Sequence, residues 1–232
     1  MSGLLSLVPT PIGNLADITH RAADVLRSAD VVACEDTRHT LGLLNHLGIS
    51  KPLWSYHAHS TDRQTEKFLE ALRGGKHVAL VCDAGTPGLS DPGTPLVHAA
   101  IAQGIKVQSL PGPCAAITAL VGSGLPTDRF FFIGFLPRRP SRAKRMLQQA
   151  AVAGVTVVVY ESPFRTRESV EWIRDLIGAE TRMVVARELT KIHEEFLRGT
   201  AAEVAERLQE REIKGEVVIL FTPKTSDDEE ET

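Results

Sequence analysis

Apolar residues in this chain gather in short runs, separated by stretches whose apolar positions recur three or four apart. The runs Leu4–Val8, Asp30–Cys34, Pro52–Tyr56, His77–Cys82 and Lys106–Leu110 predict strands. Between them the helical period appears. Asp17 is placed to cap a helix through Ser28, with Ile18, Ala22, Val25 and Leu26 on one face. Thr40–Leu47 stops at Gly48, a residue suited to helix ends. Thr61 and Gln64 have capping-box spacing ahead of Phe68, Leu69 and Leu72. Thr94–Gln103 and Ala115–Val121 complete the helices of this half, and the residues from Gly122 to Asp128 read as a linker.

The alternation then restarts. Phe130–Phe135, Val155–Tyr160, Arg182–Arg187, Glu195–Arg198 and Glu216–Phe221 predict strands, the second of them nearly all valine, as in strands buried on both faces. Helices are expected over Arg142–Ala151, from Ser162-Pro163 to Ile177, and from the Thr200/Glu203 capping box to Arg211. Strands alternating with helices argue for an α/β fold of two α/β domains with mostly parallel sheets. The expected division is an N-terminal domain over 1–122, a C-terminal domain over 129–223 and a disordered acidic tail over 224–232.

Composition changes this picture little. The chain has 232 residues, 43% apolar and 24% charged, ordinary values for a globular protein with a real core. No apolar run is long enough for a membrane-spanning helix, and the N-terminus lacks the charged start of a secretory signal. Three scattered cysteines, Cys34, Cys82 and Cys114, argue against a disulfide framework and fit a reducing cytoplasm. The net charge is −3, of which Asp227, Asp228, Glu229, Glu230 and Glu231 account for −5, leaving +2 on the remainder. Global charge therefore neither demands a nucleic-acid partner nor excludes one.

Candidate chemistry lies in the loops. In parallel sheets, ligands sit outside the carboxyl ends of the strands. Four loops there have unusual composition: Pro9–Asn14, Glu35–Arg38, Asp83–Gly93 and Pro111–Pro113. Three glycines and two prolines within Asp83–Gly93 make a stiff path whose backbone a ligand can approach closely. One such loop is an ordinary turn; four on one edge point to a site. No P-loop, dinucleotide-binding glycine fingerprint, HExxH or GxSxG motif occurs. His57 and His59 lack a partner cluster, so no metal is expected. Arg138, Arg139, Arg142, Lys144 and Arg145 open a helix whose macrodipole they oppose. A phosphate-rich partner explains them better than helix stability does.

Six motifs then carry a resemblance. Val8–Leu15, Cys34–Thr40, Asp83–Gly93, Leu110–Pro113, Tyr160–Pro163 and Ala186–Lys191, in collinear order, resemble the ribosomal small-subunit ribose 2′-O-methyltransferase I family of the tetrapyrrole methylase superfamily. The resemblance spans residues 4 to about 222 and excludes the acidic tail. It implies a homodimer of two-domain subunits with S-adenosyl-L-methionine bound in an interdomain cleft. It implies methylation of a cytidine ribose 2′-hydroxyl, cytidine 1402, in the 16S rRNA of the small ribosomal subunit.

Carried over by position, the expected cofactor-binding residues are Asp83, Gly85, Pro87, Gly88, Gly112, Cys114, Ala115, Tyr160, Glu161, Arg187, Gly215 and Glu216. The chain departs from the family at Cys114, where serine is more frequent, at Phe164, where histidine is common, and at Ala58, where an acid is common. Residue type and loop position suggest Asp36 or Glu188 as a base and Lys191 as an oxyanion partner. Arg38 suits a phosphate, as do the five cations of the basic segment. Two other readings stay open: a methyltransferase of tetrapyrrole or corrinoid precursors, and a non-catalytic RNA-binding assembly factor. Cofactor binding separates the last from both enzymes.

Overall fold

The computed structural model describes residues 3–57, 60–209 and 211–223. His59, Ala58 and the acidic tail lie outside the described residues. The chain divides into two compact units between Cys114 and Ala115.

In the first unit the strands are β1 (Leu4–Leu7), β2 (Val31–Cys34), β3 (Leu53–Ser55), β4 (His77–Leu80) and β5 (Lys106–Ser109). They pair in the order β3-β2-β4-β1-β5, every pair parallel. The helices are α1 (His20–Ser28), α2 (Thr37–His46), α3 (Asp62–Arg73) and α4 (Thr94–Ala102). Strand alternation splits the core in two. Leu5, Leu7, Val78 and Leu80 pack with Phe68, Leu72 and Leu96 of α3 and α4. Val8, Val32, Ala79 and Val81 pack with Ala22, Leu26 and Leu44 of α1 and α2. A parallel sheet covered on both faces needs strands apolar at every position, which β2 shows.

Two helix starts in this unit differ from expectation. α1 is capped by Thr19, whose hydroxyl accepts from the Ala22 N–H at 3.0 Å, and Asp17 instead ends a 3₁₀ turn over Leu15–Asp17 that Asn14 caps. α2 begins at Thr37, three residues before the expected Thr40, because Asp36 caps it. The capping box of α3 is present as expected from Thr61 and Gln64.

The second unit holds α5 (Ala115–Ser123), β6 (Phe130–Phe135), α6 (Pro140–Ala151), β7 (Thr156–Glu161), α7 (Pro163–Leu176), β8 (Arg182–Arg187), β9 (Glu195–Thr200), α8 (Ala201–Gln209) and β10 (Val217–Thr222). The strand order is β6-β7-β10-β8-β9. Only β6 and β7 run parallel; the other three pairs are antiparallel. The α/β class holds, but the mostly parallel pairing belongs to the first sheet alone. The reason is the connection from β8 to β9, which has no helix and so folds back as a hairpin, and the return of β10 between β7 and β8. α6, α7 and α8 pack on one face through Leu147, Ile173 and Leu208. α5 lies against β7, β8, β9 and β10. It therefore belongs to the second unit, and the observed division precedes the expected linker at Gly122–Asp128.

Candidate active site

The strand order sets the first unit's edge. The four loops singled out by composition follow β2, β4, β1 and β5, four strands consecutive in the sheet. Their carboxyl-edge placement is a direct consequence of parallel pairing. Thr10 and Gly85 exchange backbone hydrogen bonds at 2.9 and 3.0 Å, and the Thr10 hydroxyl donates to the Cys82 carbonyl at 3.1 Å. The Thr86 hydroxyl donates to the Pro113 carbonyl at 2.9 Å. A Cβ on Gly112 would stand 2.6 Å from Pro9 Cβ, so only glycine lets the loops after β1 and β5 approach this closely. Three of the loops are thus pinned to one another by backbone bonds, threonine hydroxyls on carbonyls, and close glycine–proline packing. Pro87, Gly88 and Leu89 line an open pocket of about 310 Å³ with Leu7, Thr94 and Val97.

The same edge gathers carboxylates. Asp83 accepts from the Asp36 N–H at 3.2 Å, bridging the loops after β4 and β2. Asp91 accepts from the N–H groups of Gly93 and Gly88, at 3.2 and 3.5 Å. Burial raises the Asp91 carboxyl above its ordinary range despite these bonds, and Asp83 adds repulsion. Burial also raises Glu35, with the negative charges of Asp91 and Asp83 acting in the same direction. Sequence reasoning missed Glu35 and Asp91 as a group. The signal was available only through strand adjacency, since β2 and β4 are neighbours in space and far apart in sequence. Asp36, an expected base, spends its carboxylate on Arg38: it accepts from the Arg38 N–H at 2.8 Å and pairs with its guanidinium at 3.0 Å. The Arg38 side-chain bond holds the Asp36 carboxyl below its ordinary range.

The second unit offers side-chain charge. Lys191 Nζ donates to Glu188 Oε1 at 2.8 Å and to Glu216 Oε2 at 2.9 Å. Glu188 Oε1 also accepts from the Glu216 N–H at 3.0 Å. Glu188 and Thr190 have φ of 51° and 65°, a conformation non-glycine residues rarely adopt. A Cβ on Gly215 would lie 2.2 Å from Glu188 Cδ, so glycine there admits the carboxylate. The Lys191 bond lowers Glu188 below its ordinary range. Burial pulls Lys191 down, but Glu188 and Glu216 together leave it raised, a firmly protonated ammonium.

The other expected residues of this unit are engaged within it. Tyr160 Oη accepts from the Ala116 N–H at 3.1 Å near the start of α5, which Ala115 opens. The buried Glu161 carboxylate accepts from Ser169 Oγ at 2.8 Å and from the Ser162 N–H at 2.9 Å. Arg187 donates to Glu195 at 2.8 Å and to the Lys214 carbonyl at 3.1 Å. Arg138, Arg139, Arg142 and Arg145 are exposed, whereas Lys144 is half-buried with its ammonium 5.5 Å from the Trp172 ring centroid.

The family model for tetrapyrrole (corrin/porphyrin) methylases matches residues 4–205. The chain belongs to this family. Within the family it is similar to proteins named ribosomal RNA small subunit methyltransferase I. The relative from Hydrogenobaculum is 46% identical over 96% of this chain and 96% of its own length. That from Halalkalibacterium halodurans is 45% identical over 94% and 75%. That from Vibrio cholerae is 47% identical over 94% and 76%.

Solved structures of the tetrapyrrole methylase fold are also similar. A diphthine synthase aligns with a TM-score of 0.73 at 15% identity, covering 99% of this chain and 94% of that one. A cobalt precorrin-4 methyltransferase aligns at 0.71 and 18% identity, with 94% of each chain covered. The Thermus thermophilus uroporphyrin-III C-methyltransferase complexed with S-adenosyl homocysteine aligns at 0.64 and 21% identity, covering 94% and 96%. These likenesses carry the fold.

Proposed function

We propose that this tetrapyrrole methylase family member is an S-adenosylmethionine-dependent rRNA methyltransferase acting in the cytoplasm on the small ribosomal subunit. The finer reading is transfer of a methyl group to a cytidine ribose 2′-hydroxyl, cytidine 1402 of 16S rRNA. The observation that carries it is identity of 45–47% to the rRNA methyltransferases along nearly the whole chain. The solved tetrapyrrole-precursor methyltransferases of the same family are only 18–22% identical. The exposed cations of α6 and the segment before it suit a polyanionic substrate, as RNA is.

The first unit's residues suit the cofactor. S-adenosylmethionine carries a sulfonium and an ammonium and supplies a methyl group to an oxygen aligned behind it. The Asp83, Asp91 and Glu35 carboxylates give that edge a charge complementary to both cations. The pinned backbone at Gly85, Gly88 and Gly112 permits close approach, and the pocket beside Pro87 offers apolar wall. Asp83, Gly85, Pro87, Gly88, Gly112 and Cys114 are the proposed cofactor-binding residues of this unit.

Transfer to a hydroxyl would form one O–C bond as the methyl's bond to the sulfonium sulfur breaks, leaving S-adenosylhomocysteine and one proton to be taken up. Glu188 and Lys191 are the proposed groups for that proton and for the developing oxygen charge. They are favoured over Asp36 because Arg38 occupies both Asp36 oxygens, whereas Lys191 and the Glu216 N–H share Glu188 Oε1 and leave Oε2 for the proton. Lys191, held protonated by two carboxylates, suits an oxyanion, and Glu188 suits the proton. Calorimetric titration with S-adenosylhomocysteine, followed by methyl transfer to small ribosomal subunits lacking the modification, tests the reading. Binding with transfer is expected. Binding with transfer only to a tetrapyrrole precursor, or no binding at all, overturns it. The homodimer belongs to the same reading, and sedimentation of the full chain tests it.

A further inference from the structure

Phe164 is the second residue of α7, and its side chain is left almost wholly in water: it is 93% exposed. Leaving a phenylalanine there forgoes the free energy its burial contributes. Its backbone, by contrast, is tightly held. The Phe164 N–H donates to Ser162 Oγ at 3.3 Å, and Pro163 fixes the preceding turn. The next residue, Arg165, donates to the Leu136 and Pro137 carbonyls at 3.0 and 2.9 Å and lies 3.6 Å from the buried Glu161 carboxylate. The ring is therefore presented from a rigid base. That base is bonded to the chain segment that runs directly into Arg138 and Arg139.

Those arginines, with Arg142 and Arg145, are exposed, and none makes an ion pair among the described residues. Arg138, Arg142 and Arg145 recur at helical spacing along one face of α6 and the residue before its cap. An exposed aromatic ring, anchored through Arg165 to the segment that leads into unpaired guanidinium groups, has the composition of a single-stranded nucleic-acid site. The cations meet phosphates and the ring meets an unstacked base. A protein partner would bring acids to the arginines and an apolar pocket to the ring. Charge complementarity favours a polyanion whose bases are free to stack, which is unpaired RNA.

We propose that Phe164 is a stacking platform for one unpaired nucleobase of the RNA whose phosphates Arg138, Arg139, Arg142 and Arg145 contact. The proposal rests on the rRNA methyltransferase reading and deepens it. Phe164 would position the substrate strand, while phosphate contacts would supply most of the salt-dependent affinity.

The test uses the full-length protein and a short unpaired oligoribonucleotide containing 2-aminopurine, whose fluorescence falls on stacking. The same oligonucleotide annealed to its complement is the control. Phe164→Ala is expected to weaken binding to the single strand by about 5- to 150-fold, the range for one base stacked on an aromatic ring. It should abolish the quench and leave the salt dependence and the duplex affinity unchanged. Phe164→Tyr should restore the quench. Arg142→Ala with Arg145→Ala should do the converse, flattening the salt dependence and keeping the quench at saturation.

Wild-type affinity in Phe164→Ala, with the arginine variants weakened, overturns the stacking proposal and leaves the RNA reading standing. No binding of either RNA by the wild type, and no methyl transfer, removes the reading itself. A change in sedimentation of Phe164→Ala, with RNA affinity intact, assigns the ring to a protein interface and also overturns the proposal. The ring is exposed, so its removal should leave the melting temperature in place, and a thermal scan checks this.

Discussion

The two units meet their surroundings with different chemistry. The first presents main chain: glycine- and proline-rich loops pinned to one another by backbone bonds, threonine hydroxyls and proline packing, with carboxyls raised by burial at Glu35 and Asp91. The second presents side-chain charge: Lys191 held between two carboxylates, Glu195 between two guanidinium groups, and unpaired arginines along α6. The difference follows from topology. A parallel sheet sends every loop of one kind to one edge, so backbone geometry can be shared among neighbouring turns. The mixed second sheet brings β8, β9 and β10 together by hairpin and return, which sets charged strand ends side by side. Rigid main chain suits a small cofactor, and placed charge suits proton handling and a polyanion.

Substitutions can break this division. The largest expected effect is on Lys191→Met, which removes the ammonium proposed to meet the developing oxygen charge. Methyl transfer should fall by about 100- to 1000-fold, as on loss of one oxyanion donor. Affinity for S-adenosylhomocysteine should stay within about twofold, about 0.4 kcal/mol. A large loss of cofactor affinity instead would put Lys191 in the cofactor site and blur the contrast.

Gly112→Ala is the converse. Its Cβ would press on Pro9 and displace the loops after β1 and β5, an overpacking cost of about 1–3 kcal/mol. Cofactor affinity should drop by about tenfold or more, with transfer at saturating cofactor largely retained. Unchanged calorimetric affinity would count against those loops as the cofactor edge.

A smaller effect is expected at Glu195, which accepts from Arg187 and Arg211. The Arg211 bond, with Arg187, holds its carboxyl at about 2, below the ordinary value of 4.5. A depressed folded value means the stabilisation is present above the unfolded value and is lost as pH falls towards 2. Glu195→Gln should cost about 1–2 kcal/mol at neutral pH, because solvent screens side chains about a third exposed. Urea unfolding should show the gap between variant and wild type closing below about pH 4. A constant gap would mean that packing, not charge, accounts for the difference.

The smallest is the paired change Arg142→Ala and Arg145→Ala. On single-stranded RNA it should lower the slope of log affinity against log salt by about 0.7 for each phosphate left without its arginine. An unchanged slope would remove these arginines from the RNA face.

Local rules made much of this legible in the sequence. The Thr61/Gln64 box, the valine-rich β7 and the four turn-forming loops each depend on neighbours within a few residues, and they stand where expected. Long-range pairing was not legible. Nothing near β10 announces that it inserts antiparallel between β7 and β8. Glu35 meets the fields of Asp91 and Asp83 only because β2 lies beside β4. Glu188 and Lys191 stood out in one motif, but Glu216, which completes the Lys191 site, is 25 residues further along. Thr19 won over Asp17 at α1 because an intervening turn, capped by Asn14, shifts the helix start.

Ribose methylation of rRNA, the activity proposed for this protein, leaves a distinctive product. Small ribosomal subunits lacking the modification would be incubated with the full chain and S-adenosylmethionine tritiated in the methyl group, and the RNA digested with alkali. Alkali cleaves only beside a free 2′-hydroxyl, so label is expected in an alkali-resistant dinucleotide containing cytidine. Label released as a mononucleotide would place the methyl on a base, and no incorporation with the cofactor bound would contradict the rRNA substrate.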